Sequence, residues 1–591
     1  MNPETKQCQN CKSSFVMEPE DIAFYEKIKV PAPTFCPECR MQRRLIFRNL
    51  RTYYRRPVEG SDQEGFSSFS PDSPFKVFDS KYWYSDKWEI DSAREYDFSR
   101  PFFEQLKELM LIMPWIANYN QKSVNSEYCA NSFDLKDCYL CFNSGYSEEC
   151  YYTTDTLHSK SCFDALRAEG CELSYELFDC EKCYNTFFSS HCKESSDIWF
   201  SKNLIGCHDC FGCVNLRHKS YYIFNKPYSK KEYLEKIKEL TTGSFSDLQK
   251  VQAQFKDHAL NFPVRYYHGL HNNNVIGDYV DHSQGCRKVF SCQDLEYCHY
   301  CQLILFMKSK DSMDMSIAGG ELCYEVEEFG GYNSKFCWFG GTSDLGVGAT
   351  EIQYSMNCFD CSSLFGCVGL KNKKHCILNK QYSKEGYEAL VPKLIKHMNA
   401  MPYIDSKGRV YQYGEFFPAE LSPFAYNETL AHEYLPLERQ ESLDAGFGWK
   451  EPSEKNYNIT MRSADIPDKI QEVSDTISKD IIGCAHEGKC NQQCSTAYRI
   501  LPQELIFYRQ RNIPLPRLCP NCRHYERLKQ RNPVKFYSRE CQCKGSEVGK
   551  YVNVAKHFHN TEKCPNTFLT TYSPEKPDFI YCEQCYQAES A

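Results

Sequence analysis

The chain has no run of about 18 apolar residues, the length a helix needs to cross a bilayer, so no membrane span is expected. Its first residues, MNPETKQCQNCKSSF, lack the apolar core of a secretory leader. No Walker loop, dinucleotide fingerprint, nucleophile elbow or HExxH is present, and the 16 histidines are scattered, none forming a convincing base with a nearby nucleophile in sequence. Those absences speak against an enzyme. They also decide how the 36 cysteines are read. Disulfide-rich secreted proteins are short and carry a leader, so these cysteines are expected to be thiols and thiolates in a reducing cytoplasm. With 591 residues, several domains are expected.

The first cysteines come in pairs. Cys8 and Cys11 precede Cys36 and Cys39, with 24 residues between the pairs. Near the other end, Cys490 and Cys494 precede Cys519 and Cys522, again with 24 residues between. The two segments match at an offset of 483: Tyr25 with Tyr508, Pro31 with Pro514, Pro33 with Pro516, Cys36 with Cys519. This is an internal duplication. Four thiolates in two such pairs make the closed tetrahedral shell of structural zinc.

The segment KQCQNCKSSFVMEPEDIAFYEKIKVPAPTFCPECRMQRR resembles the bacterial trcl-type zinc-ribbon domain, with its CxxC, acidic stretch ending in Phe-Tyr, and CPxCR. The second copy departs by having three residues between its first two cysteines. The whole arrangement is similar to multi-ribbon proteins of bacterial candidate phyla, which supply no activity to borrow.

A further ribbon is expected from Cys541, Cys543, Cys564, Cys582 and Cys585. Five thiols compete there for four positions, with His557 and His559 nearby. Cys582 and Cys585 form the secure pair; Cys541 and Cys564 complete the preferred set, with Cys543 as the alternate. SPDSPFKVFDSKYW (70–83) aligns with SPEKPDFIYCEQCY (573–586), and Val58, Gly60, Ser61, Asp79 and Tyr82 replace cysteines. This copy reads as a metal-free ribbon packed around Phe75, Val77, Phe78 and Trp83. About three zinc ions per chain are expected from this ligand count.

The middle of the chain has no long 3.6-residue pattern. Cys129, Cys150, Cys171, Cys192 and Cys213 recur every 21 residues, as do Cys141, Cys162 and Cys183. A fixed period marks stacked repeats, and Tyr-, Phe- and Cys-rich units suit parallel β-helix coils, one per period. These cysteines are expected to fill a narrow core rather than bind metal. Asp134, Asp155, Glu176 and Asp197 share the period, which leaves open an acidic groove. FGCVNLRHKSYYIFNKPYSKKEY (211–233) returns as FGCVGLKNKKHCILNKQYSKEGY (365–387), and ELSYE (172–176) as ELCYE (321–325), so there are two such arrays.

The expected fold is therefore mainly β, with small zinc ribbons flanking two tandem solenoids capped by helices. The divisions are a ribbon with a basic extension (1–57), the metal-free ribbon (58–100), a helical connector (101–124) and the first solenoid (125–228). A capping helix and linker (229–262), the second solenoid (263–382), a second capping helix (383–402) and a linker (403–483) follow. A ribbon with a basic extension (484–540) and a last ribbon (541–591) complete the chain.

Residues 40–56 contain no acid but carry Arg40, Arg43, Arg44, Arg48 and Arg51, followed by Arg55 and Arg56. The duplicate stretch carries Arg523, Arg527, Lys529 and Arg531. Basic segments interleaved with aromatics suit phosphate contacts and base stacking, by RNA slightly more than by DNA. The competing reading is internal. The chain has a formal charge of −8, and residues 125–222 hold 15 acids against 8 bases, so the arginines could dock on acidic solenoids. A protein partner is a third possibility. The expected function is a non-catalytic, zinc-dependent binding or scaffold protein, with an acidic-groove β-helix enzyme as the alternative class.

Overall fold

The computed structural model describes residues 2–305, 307–317, 319–341, 349–451, 457–545, 551–560 and 562–590. Strand exceeds helix, 30% against 23%, which makes this a mainly strand-built chain. No helix among the described residues is long and apolar enough to cross a membrane. The chain forms two compact units that interleave in sequence: residues 1–119 with 267–450, and residues 120–266 with 451–591.

The second unit is built on a parallel ladder. Phe133 pairs with Gly145, Cys162 with Ser174, Ser196 with His208 and His208 with Ser220, each twelve residues along. Between these strands the same register continues through single bridges such as Ala130 to Phe142 and Ser190 to Lys202. From Lys122 to Phe224 every third residue has a positive φ, including Asn125, Asp155, His158, Asn185 and Asn203. Asn, Asp and His tolerate that left-handed region better than most residues. The chain thus bends after every two extended residues, and residues four bends apart pair in parallel.

From Cys129 to Cys213 the residue after each bend is buried. Cys129, Ser132, Leu135, Cys138, Cys141 and Ser144 follow one another in that role. Cysteine and serine suit it because they are small and can both donate and accept. Ser132 Oγ donates to Ala130 O at 2.9 Å and accepts from Ser144 N at 3.2 Å. Cys138 Sγ donates to Lys136 O at 3.3 Å and accepts from Cys150 N at 3.5 Å. The backbone N–H groups of Ser144 and Cys150, which a leucine would leave unpaired, are satisfied in this way.

The expected one coil per 21 residues is corrected. The pairing register is twelve residues, four triplets, whereas 21 residues is seven triplets. Residues 21 apart point inward alike but do not stack: above Cys129 sits Cys141, whose Sγ accepts from Thr153 Oγ1 at 3.2 Å. The carboxylate series separates for the same reason. Asp155 accepts from Asn143, Asp197 from Asn185, and Glu176 pairs with Arg527, so the series forms no single acidic row. Helices Lys230–Leu240 and Phe245–Ala259 close the end of this ladder. Ser229 caps the first in a reciprocal capping box with Glu232, and Tyr233 packs with Phe211 and Ile223.

The first unit carries the second ladder, with less even turns. Lys310 pairs with Glu321, Leu295 with Ser309, Tyr332 with Thr350, and Thr350 with Ser362. The cysteine-lined core persists, from Cys286 to Cys376. Residues 403–450, expected to be part of a linker, are folded, with Tyr411, Phe416, Phe417 and Tyr426 buried. Their aromatics, rather than any repeat, give them a core.

One buried acid has a consequence for stability. Glu327 has no solvent exposure, and burial pushes its pKa up to about 8, with Arg48 and Arg44 opposing the rise. A carboxyl raised in the folded state binds more protons there than in the unfolded chain, so its contribution is full below its ordinary value near 4.5 and is lost as pH rises through about 8. Glu327→Gln should therefore remove part of the fall in stability between those values, measured by denaturant unfolding across pH. An unchanged pH profile would contradict the assignment.

Candidate metal centres

Three four-cysteine groups come together: Cys8, Cys11, Cys36 and Cys39; Cys484, Cys494, Cys519 and Cys522; and Cys541, Cys564, Cys582 and Cys585. Within each, all sulfurs lie within 4.8 Å of one another. Metal–thiolate bonds of about 2.3 Å in a tetrahedron give sulfur–sulfur edges of about 3.8 Å. The separations Cys11–Cys36 (3.7 Å), Cys484–Cys522 (3.9 Å), Cys494–Cys519 (3.9 Å) and Cys564–Cys582 (3.9 Å) fit that shell. These groups could hold metal ions.

The three share one construction. The third cysteine of the first two groups caps a helix, Pro37–Leu45 or Pro520–Leu528, whose first turn carries the fourth. Proline at the first helical position costs nothing there, because its missing N–H would have no partner. The backbone N–H of the capping cysteine donates to the first cysteine: Cys36 to Cys8 Sγ at 3.2 Å and Cys519 to Cys484 Sγ at 3.3 Å. Cys582, which precedes helix Glu583–Ser590, does the same to Cys541 Sγ at 3.2 Å. Hydrogen bonds among the sulfurs hold Cys8 and Cys519 far below the ordinary thiol value and Cys541 at about 5, while they push their partners Cys36, Cys522 and Cys585 up, so the charge settles unevenly within each group. Anionic sulfur is the form a metal binds.

The structure corrects one ligand. Cys484, not Cys490, completes the second group. Cys484 N donates to Thr496 O as Cys8 N donates to Ser13 O, and Ala485 N to Arg517 O as Gln9 N to Thr34 O. Seven extra residues lie between Cys484 and Cys494 relative to Cys8 and Cys11, and within them Cys490 imitates the first cysteine of a knuckle. Cys490 instead lies 3.7 Å from Cys522, in a three-ligand group with His486. Cys543, the alternate for the third group, lies outside it.

The copy without cysteines keeps the hairpin, Tyr54–Pro57 with Glu64–Ser67, matching Tyr537–Glu540 with Thr567–Thr570. Tyr82 covers Gly60 so closely that a Cβ there would fall 2.1 Å from the ring. Asp79 caps the short helix Ser80–Tyr84, and Phe78 and Trp83 pack with Ile116 and Phe359.

The arginines of the two capped helices point away from solvent. Arg40 Nη2 meets Asp314 at 2.9 Å, and Arg44 Nη1 meets Asp314 and Glu325, both at 3.0 Å. Arg43 joins Glu325 (2.7 Å) to Glu415 (3.0 Å), and its guanidinium lies over the Phe35 ring. Arg48 pairs with Glu328, and Arg51 is buried. In the other unit Arg523 and Arg527 both meet Asp164 at 3.1 Å, and Arg527 also meets Glu176 at 3.1 Å. Lys529 remains exposed beside Glu526, and Arg531 is half-buried. Of the residues expected to contact nucleic acid, Arg40, Arg43, Arg44, Arg48, Arg51, Arg523 and Arg527 are therefore buried, each 5% exposed or less. A phosphate has no access to them in this arrangement.

Of the acids on the other side of these pairs, the 21-residue series includes only Glu176. The signal was there: the repeated ELSYE and ELCYE contain Tyr175-Glu176 and Tyr324-Glu325. Tyr324 packs edge-on against Tyr25 at 5.3 Å, as Tyr175 does against Tyr508 at 5.4 Å. Tyr300 donates to Asp21 and Tyr152 to Glu504, which completes the correspondence between the two units.

No family model matches the chain, and no curated protein matches it. Among solved structures, a Desulfovibrio desulfuricans G20 protein described as an acetyltransferase aligns at 8% identity over 50% of this chain and 86% of its own, with a TM-score of 0.09. At that score the likeness carries no argument about fold or activity.

Proposed function

We propose that this chain is a non-catalytic, zinc-dependent scaffold in which each zinc-ribbon module is locked onto a cysteine-lined β-solenoid of its own unit. The observation that carries the reading is the pair of arginine locks: Arg40 and Arg44 on Asp314 and Glu325, and Arg523 and Arg527 on Asp164 and Glu176. Zinc is favoured because all-thiolate tetrahedral shells are its preferred structural sites. The solenoid reading is supported by the twelve-residue register, which passes from one strand to the next.

The competing reading is a scaffold that binds RNA or DNA through the same basic segments. Such binding releases counterions and weakens steeply with salt. Titration of labelled single-stranded RNA and DNA by fluorescence anisotropy separates the two. The scaffold reading predicts no binding above that of an unrelated acidic protein at low salt. Tight binding with a steep salt slope would overturn it.

A further inference from the structure

A second group of ligands lies beside the last four-cysteine cluster. We propose that Cys543, His557 and His559 hold an additional zinc ion, with Cys585 Sγ bridging it to the ion held by Cys541, Cys564 and Cys582. The inference rests on the zinc reading and raises its count from three ions to four.

The four ligand atoms of Cys543, His557, His559 and Cys585 lie within 4.8 Å of one another. In a tetrahedron with metal–sulfur bonds of about 2.3 Å and metal–nitrogen bonds of about 2.05 Å, the sulfur–nitrogen edge is about 3.6 Å. Cys543 Sγ lies 3.6 Å from His557 Nδ1, and Cys585 Sγ lies 3.3 Å from His559 Nε2.

Each imidazole has its other nitrogen engaged. His557 Nε2 lies 2.8 Å from Glu589 Oε1, and His559 Nδ1 lies 2.6 Å from Glu562 O. Donation from those nitrogens fixes the tautomers so that the bare nitrogen of each ring faces the sulfurs, the usual outer arrangement of a metal-bound histidine. Glu589 is itself held by Val554 N, Ala555 N and Tyr551 OH. Asn553 Nδ2 donates to Cys543 Sγ at 3.3 Å, as a bound thiolate accepts.

Charge supports sharing. One dication in four thiolates carries −2, whereas two dications among five thiolates and two neutral imidazoles carry −1. The bridged pair is cheaper to bury. A hydrogen-bonded thiol–imidazole pair would satisfy Cys543 and His557, but it would not require four ligand atoms about one point.

The test is elemental analysis of the full-length chain, equilibrated with zinc and freed of loose metal. Wild type should hold about four ions by this ligand count. His557→Ala with His559→Ala should hold one fewer and keep the rest. Glu589→Gln should weaken that one ion by about 10- to 100-fold, as loss of an outer-sphere partner does. Three ions in both wild type and the double variant would overturn the inference and leave the zinc reading standing. No zinc at all would overturn both. Should the histidine variant misfold, cobalt substitution of wild type decides. Magnetic coupling between two of the cobalt ions is the expected signature, and independent ions throughout would contradict the bridge.

Discussion

Cys484→Ser is expected to remove one zinc ion and unfold the C-terminal module, while Cys490→Ser leaves both metal content and fold in place. The difference is large because binding energy at a structural zinc site, about 10 kcal/mol or more, is also folding energy. Cys484 is fully enclosed, and its sulfur accepts the N–H of Cys519. Cys490 is half-exposed and lies at the edge of the cluster, 3.7 Å from Cys522. Circular dichroism and elemental analysis of the two variants read the outcome directly. Retained zinc in Cys484→Ser, with loss in Cys490→Ser, would restore the assignment that spacing alone suggests. Cys8→Ser should behave as Cys484→Ser does, because the two sulfurs occupy equivalent places.

The second large effect concerns the locks. Arg44→Met leaves Asp314 and Glu325 buried with part of their compensation gone, and Arg527→Met does the same to Asp164. Removing one partner of a buried ion pair costs about 3–5 kcal/mol, mostly as an uncompensated charge. Lys529→Ala, at the surface beside Glu526, should change stability by no more than about 0.5 kcal/mol. Neutralising the acids along with the arginine, as in Arg44→Met with Asp314→Asn and Glu325→Gln, should recover much of the loss. Urea unfolding of the four variants measures this. Equal, small effects for Arg44→Met and Lys529→Ala would remove the basis of the scaffold reading.

Much of this was legible in the sequence, and the failures have physical causes. The duplication at offset 483 located both capped helices, because Pro, Cys and Tyr at fixed spacing report local geometry. Cys484 was hidden because an insertion displaced it and supplied a substitute at a plausible spacing. The 21-residue period conceals the twelve-residue register because both are multiples of three: the inward direction repeats every triplet, whatever the register. Positive φ at Tyr146, Phe188 and Phe200 could not be foreseen, since aromatic residues rarely adopt it. The basic segments showed which charges existed but not their partners. Asp164 and Asp314 are brought to the arginines by stacking of turns, which no local pattern encodes. The duplicated Tyr-Glu of 175–176 and 324–325, beside the duplicated arginines, is the sequence signal for docking of each module on its own ladder.

The claim that the arginines serve the fold is tested most directly by their accessibility. The zinc-loaded full-length chain is treated with an arginine-specific dicarbonyl reagent, and modification is read site by site by mass spectrometry. Arg462, whose side chain is 79% exposed, is the internal reference. The account predicts that Arg40, Arg43, Arg44, Arg523 and Arg527 stay protected while Arg462 reacts, and that a strong chelator abolishes the protection. Reaction of Arg40 and Arg44 as fast as Arg462 in the zinc-loaded chain would contradict it.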